Sequence, residues 1–152
     1  MCTGNVCRSP MAEASLSYHL AKQKLSAHVI SRGLAPPIGR SPHPYAISVS
    51  KAHGIILDPA KRAAEVTSAE VASAGVILVM DNEHRWAVQQ RFPAASGKTF
   101  LLGQWENVEI ADPIHKPISA FELAWQQINA GVLQWITRLK QAGMLHQVAE
   151  HE

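Results

Sequence analysis

Cys2-Thr3-Gly4-Asn5-Val6-Cys7-Arg8-Ser9-Pro10, running on into Met11-Ala12-Glu13-Ala14-Ser15-Leu16, is the stretch that decides how this chain reads. A cysteine, five residues, an arginine and a serine stand directly before a helix-prone run. Gly4 and Asn5 tolerate the positive φ angles that turn several backbone N–H groups toward one point. The run after Ser9 predicts a helix, whose first N–H groups have no partner of their own. A nest of amides at a helix N-terminus is a dianion site. Arg8 adds a planar fork able to hold two phosphate oxygens. A helix N-terminus and a nearby cation favour a thiolate, and Ser9 can donate a hydrogen bond to the sulfur. Nucleophile, cation and anion cradle therefore fall within one short segment, which suits thiolate attack on phosphorus. The plainer alternative is a buried cysteine beside a helix cap.

Outward from that loop, 152 residues predict one domain, residues 1–152, with room for a core. Hydrophobic residues at 47% and charged residues at 17% exclude a disordered chain. No apolar run approaches the roughly 20 residues that cross a bilayer, and no signal-peptide pattern opens the chain. Two cysteines do not make a disulfide scaffold, which points to the reducing cytoplasm. A net charge of +2 without a basic block argues against nucleic acid as a partner. Eight histidines are scattered without zinc-ligand spacing, so no metal and no cofactor is expected.

Ser9 to about Leu25 reads as a helix, and Val29-Ile30-Ser31 as a short strand. Residues 33–44 are a Gly- and Pro-rich loop. Pro44 to His53 reads as a helix ended by Gly54. Thr67-Ser68-Ala69-Glu70 has the form of a capping box. Val76-Ile77-Leu78-Val79-Met80 is the clearest buried strand. Asp81 is placed to cap a helix reaching about Arg91, and Thr99-Phe100-Leu101-Leu102 is the next strand. A second capping box, Ser119-Ala120-Phe121-Glu122, is expected to open the longest helix. Phe121, Trp125, Ile128, Val132, Trp135, Ile136 and Leu139 fall at helical spacing there, a core stripe ended by Gly143, with a fraying tail beyond. Strands alternating with helices predict an α/β three-layer sandwich around a central parallel sheet.

Cleavage of a phosphate ester also needs a proton for the leaving oxygen. Two Asp-Pro pairs are present, Asp58-Pro59 and Asp112-Pro113. Asp112 follows the last strand and precedes the long helix, in a loop that can overlie the carboxyl edge of the sheet. Asp58 suits a turn.

The run CTGNVCRSPMAE resembles the phosphate-binding loop of the low-molecular-weight protein tyrosine phosphatases. The likeness extends along nearly the whole chain. Ile38-Gly39-Arg40-Ser41-Pro42, Ala52-His53-Gly54-Ile55, Val79-Met80-Asp81 and Ile110-Ala111-Asp112-Pro113 are similar to the family's second loop, helix, mid-chain strand end and acid loop. Gly97-Lys98-Thr99 through Gly103-Gln104-Trp105 resembles the bacterial branch that accompanies capsule and exopolysaccharide tyrosine kinases. The resemblance implies a flavodoxin-like phosphatase fold and hydrolysis of phosphotyrosine and small aryl phosphates. It implies Cys2 as nucleophile, Arg8 as phosphate ligand and Asp112 as general acid and base. Thr3, Gly4, Asn5, Val6, Cys7, Arg8 and Ser9 would form the phosphate site. Asn5 would hold its shape, Ser9 would assist the thiolate, and Cys7 would be a redox partner of Cys2. The implied partners are a phosphotyrosine protein and a bacterial tyrosine autokinase.

Two departures stand out. Family members carry a short apolar strand before the loop, whereas here only Met1 precedes Cys2. Either the start lies upstream or the sheet lacks a central strand. The positions after Asp112-Pro113 are Ile114 and His115 rather than aromatic, and the second loop holds Ala35-Pro36-Pro37. Tyr45 and Trp105 could replace the lost ring contacts only if the fold brings them close. Arsenate reduction on the same fold would need further cysteines after Cys7, which are absent. A non-catalytic phosphate-binding module is the reading from another class.

Overall fold

A computed structural model describes residues 1–149. In chain order it contains α1 (Arg8–Lys22), β1 (Leu25–Ser26), α2 (Pro44–Ala52), α3 (Ser68–Ser73), β2 (Ile77–Val79), α4 (Asn82–Arg91), β3 (Thr99–Leu101), α5 (Ile118–Gln141) and β4 (His146–Gln147). β2 and β3 pair in parallel, with Ile77 opposite Thr99 and Val79 opposite Leu101. Single parallel bridges join Cys2 to Gly33 and Gly33 to Glu65.

Alternation along β2 shows the layering. Ile77 and Val79 pack with Val66, Val71, Val88 and Phe92, under α3 and α4. Leu78 and Met80 face the other way, into the core built from α1, α2 and α5. Successive residues of a strand point to opposite faces, so the sheet is the middle of three layers. The stripe expected on α5 is the core stripe: Phe121, Ile128, Val132 and Ile136 are all fully buried, at 1% exposure or less. Gly131 lies where a β-carbon would stand 2.5 Å from the Leu102 carbonyl oxygen, so α5 approaches the end of β3 closely.

Several expected elements form as read. Thr67 and Glu70 make the reciprocal capping box that opens α3. Asp81 caps α4 by accepting the His84 N–H. Gly143, at φ 74°, follows the end of α5.

Others differ for physical reasons. Val29-Ile30-Ser31 is not a strand, because the Ser31 N–H goes to the Glu13 carboxylate at 3.1 Å. That segment has no ladder partner until Gly33. α5 begins at Ile118 behind Pro117, not at a Ser119 box, and no side chain caps it. Glu122 bonds His53 and Gln126 instead of reaching back. The expected frayed tail is ordered at His146–Gln147, which pairs antiparallel with Leu25–Ser26; residues 150–152 lie outside the described ones.

The region between residues 28–32 and 76–78 is a largely apolar cavity of about 380 Å³ that also touches α1 and α5. Met1 sits at its edge, its amino group donating to the Leu78 carbonyl at 2.5 Å. Beyond Met1 the chain runs straight into the phosphate loop, whose start is tied to residues 32–35. Cys2 N–H donates to the Arg32 carbonyl, Leu34 N–H to the Cys2 carbonyl, and Ala35 N–H to the Thr3 carbonyl.

Candidate active site

The loop between that strand-like start and α1 is shaped by Asn5. This residue is buried at 1% exposure and adopts φ 53°, the left-handed region. Its side chain compensates for the strain with three hydrogen bonds. Nδ2 donates to Ser9 Oγ at 2.8 Å and to Ser31 Oγ at 3.1 Å, and Oδ1 accepts from the Ala64 N–H at 3.1 Å. Gly33 supports the loop from outside, since a β-carbon there would stand 2.6 Å from the Thr3 carbonyl oxygen.

Around the sulfur, the Asn5 N–H donates to Cys2 Sγ at 3.3 Å. Ser9 Oγ lies 3.1 Å from the same sulfur. Ser9 Oγ already accepts from Asn5, so its own proton is free for the sulfur, with the Arg32 carbonyl a longer alternative at 3.5 Å. Two hydrogen-bonding groups therefore converge on one sulfur. Among the described residues the N–H groups of Gly4, Val6 and Cys7 have no backbone acceptor.

Arg8 is the first residue of α1 and is buried at 4% exposure. Nη1 donates to the Ile110 carbonyl at 2.8 Å and lies 3.5 Å from Asp81 Oδ2. Nη2 lies 3.6 Å from Asp112 Oδ2. Nε is buried and bonds nothing among the described residues. One edge of the guanidinium is thus anchored to protein, and the Nε–Nη2 edge keeps donors for two oxygens of one anion.

The fold therefore brings Cys2, Gly4, Val6, Cys7, Arg8, Asp112 and Ile114 to one cleft. Asp112 is half-exposed, and its other oxygen accepts the Ile114 N–H at 3.1 Å, which forms the turn that sets it over the cleft. Asp58 makes a turn elsewhere, accepting the Ala60 N–H at 2.8 Å and the Lys61 N–H on its carbonyl. Cys7 is buried at 3% exposure, and burial, with help from Asp112 and Cys2, pushes its thiol up to about 12. Both cysteines are free thiols.

Of the two aromatic candidates, Tyr45 is near the loop and Trp105 is not. The His43 N–H donates to the Val6 carbonyl at 2.8 Å, and Tyr45 follows in α2, its ring edge-on to Phe121 and next to His43. Trp105 packs instead on Trp135 and under Arg138. Sequence reading missed the roles of Asp81 against Arg8, of the Ile110 carbonyl, and of His84. His84 Nε2 lies 2.8 Å from Thr3 Oγ1. Asp81 and His84 stand at the end of a strand and in a capping turn, and only contacts far apart in sequence reveal them.

The family model described as low molecular weight phosphotyrosine protein phosphatase matches residues 1–145. The chain belongs to this family. It is 40% identical to the probable low molecular weight protein-tyrosine-phosphatase EpsP of Ralstonia nicotianae, covering 94% of this chain and 95% of that one. The structure of Vibrio vulnificus Wzb in complex with benzylphosphonate superposes with a TM-score of 0.84 at 34% identity, over 91% and 94% of the two chains. The YwlE arginine phosphatase of Geobacillus stearothermophilus superposes at 0.83 with 31% identity, over 99% and 96%. Members of this fold thus include phosphatases named for two different phosphorylated residues.

Proposed function

We propose that this chain is a cytoplasmic protein-tyrosine phosphatase that works through a phosphocysteine on Cys2. The Cys2 thiolate attacks phosphorus and the bond to the phenolic oxygen breaks. Asp112 protonates that oxygen as it leaves. Water then attacks phosphorus, Asp112 takes its proton, the S–P bond breaks, and inorganic phosphate departs with the thiolate restored. Through both steps the free N–H groups of the loop and the Nε–Nη2 edge of Arg8 hold the phosphoryl oxygens. Thr3, Gly4, Asn5, Val6, Cys7 and Ser9 complete that cradle.

The observation that carries this reading is the convergence of Cys2, Arg8 and Asp112 on one cleft whose other walls, Val6 and Ile114, are apolar. Apolar walls suit the flat ring of a phosphotyrosine, and aliphatic groups against a ring face contribute by burial. Val6 and Ile114 offer no acceptor to the N–H groups of a phosphoarginine side chain, which would depend on Asp112 alone among the cleft's acidic side chains. The tyrosine kinase partner we infer is an autokinase of the capsule or exopolysaccharide type, on the likeness of Gly97–Trp105. No helix among the described residues is long and apolar enough to cross a membrane.

The test compares phosphotyrosine peptide, p-nitrophenyl phosphate and phosphoarginine as substrates of wild type and Cys2→Ser. Expected are turnover of the two aryl phosphates, loss of it in Cys2→Ser with the fold retained by circular dichroism, and a phosphoenzyme trapped in Asp112→Ala. Turnover surviving in Cys2→Ser removes the mechanism, and preference for phosphoarginine moves the substrate class. Phosphopeptide binding without any turnover in wild type would favour the binding-module reading.

A further inference from the structure

The first turn of α4 reaches both ends of the phosphate loop. At one end Asp81 Oδ2 lies 3.5 Å from Arg8 Nη1. At the other, His84 Nε2 lies 2.8 Å from Thr3 Oγ1. The two side chains are joined to each other, because Asp81 Oδ1 accepts the His84 N–H at 2.8 Å. His84 Nδ1 also lies 3.3 Å from Asp81 Oδ1, outside hydrogen-bond geometry.

We propose that His84 is a positioning residue, which fixes the phosphate loop through the Thr3 hydroxyl; this rests on reading the loop as an oxyanion site. Thr3 is the last residue held by strand-like bonds, through its carbonyl to the Ala35 N–H. Directly after it the chain turns through Gly4 and the left-handed Asn5. The carbonyl bond sets the plane of the Thr3–Gly4 peptide, from which the nest of N–H groups begins, and the tie on the Thr3 side chain adds a second anchor that fixes the residue against α4. The imidazole suits this work. It is buried at 5% exposure, and burial holds its pKa below the ordinary histidine value, with Arg8 adding to the effect and Asp81 opposing it. A neutral ring with its proton on Nδ1, facing the Asp81 carboxylate, leaves the Nε2 lone pair to accept the Thr3 hydroxyl proton. The hydroxyl is thereby held toward α4.

Binding of inorganic phosphate, measured by calorimetry and as competitive inhibition, tests this alongside kcat and KM for p-nitrophenyl phosphate. His84→Ala is expected to weaken phosphate binding about five- to tenfold, the size of one lost hydrogen bond with a buried partner. Thr3→Val, at an exposed position, should show the same loss, and the double variant should be no worse than either alone. His84→Gln, whose amide reaches the Nε2 position, should restore most of the binding. Independent, multiplying losses, or failure of His84→Gln to restore binding, overturn the role. So does a fall in Tm with unchanged phosphate affinity. An active wild type with unaffected variants defeats this inference alone. A wild type that binds phosphate without turnover, and loses it in Thr3→Val, defeats only the phosphatase reading. A wild type that binds no phosphate defeats both.

Discussion

Arg8 Nη2 lies 3.6 Å from Asp112 Oδ2, so the proposed phosphate ligand and the proposed proton donor share one cleft although they lie far apart in the chain. A substrate oxygen held by Arg8 is brought beside Asp112 by that proximity. Asp112→Asn keeps the shape and removes the titratable proton. Turnover of substrates with poor leaving groups, such as phenyl phosphate, should fall about 100-fold or more. p-Nitrophenyl phosphate, whose leaving group needs little help, should slow far less. Asp58→Asn should change neither, since Asp58 only closes a turn. Equal slowing of both substrates by Asp112→Asn would remove the general-acid role.

Arg8→Lys should be severely impaired even though the charge is kept. Lysine cannot hold the Ile110 carbonyl and Asp81 with one edge while offering two donors with the other. The expected loss in kcat/KM is about 100-fold or more, the scale of losing an oriented donor to a developing anion. Asp81→Asn should cost less, because the Ile110 carbonyl still anchors Nη1. Near wild-type kcat/KM in Arg8→Lys would reduce Arg8 to a source of field.

The phosphate loop, the Thr67–Glu70 box, the β2 strand and the α5 stripe could be read because each is a local pattern whose partners lie within a few residues. That Asp112 would come to the loop's side of the fold could be read because an Asp-Pro pair between β3 and the long helix can overlie the carboxyl edge of the sheet. Asp81 read only as a cap, and a cap it is, yet its second oxygen lies 3.5 Å from Arg8 Nη1. His84 gave no signal, since a histidine in the third position of a helix is ordinary until the fold sets it on Thr3. The Ser119–Glu122 box failed because Glu122 found a stronger partner in His53, itself stacked on Trp125. Tyr45 and Trp105 looked alike in the sequence, and only tertiary packing separates them.

The buried Cys7 thiol makes stability fall in alkali. Its pKa is about 12 in the folded chain and ordinary, near 9, when unfolded. The unfolded state therefore loses this proton first. The contribution is fully present below about pH 9 and is lost as pH rises from there through about 12. Urea unfolding of wild type and Cys7→Ala at pH 8, 9 and 10 should show wild type losing more stability per pH unit above 9 than the variant. Parallel pH dependence of the two would show that the thiol does not stay protonated in the folded chain.

The same proton governs how Cys7 can protect Cys2. Peroxide converts a Cys2 thiolate to a sulfenic acid, with two electrons passing to the peroxide. Attack by Cys7 as a thiolate would then form the S–S bond and release the sulfenic oxygen as hydroxide. Burial keeps Cys7 protonated at neutral pH, so this second step should be slow there and should quicken about tenfold per pH unit toward 12. Cys7 caps α1 beside the cleft, so the two cysteines line one pocket, and the bridge needs the sulfurs to come together within the loop. Wild type and Cys7→Ser should be given one equivalent of peroxide at pH 6.5. They are then moved to pH 6.5, 7.5 or 8.5 before a second peroxide dose and dithiol reduction. Recovered activity of wild type should rise with the holding pH, while Cys7→Ser should recover poorly at all three. Mass spectrometry of the peptide holding both cysteines should show the loss of two hydrogens growing in step. Equal recovery in the two proteins with no disulfide would show that Cys7 is a packed filler beneath the loop and no guard of Cys2, and a disulfide yield that does not change with pH would show that the buried thiol's proton does not govern the step.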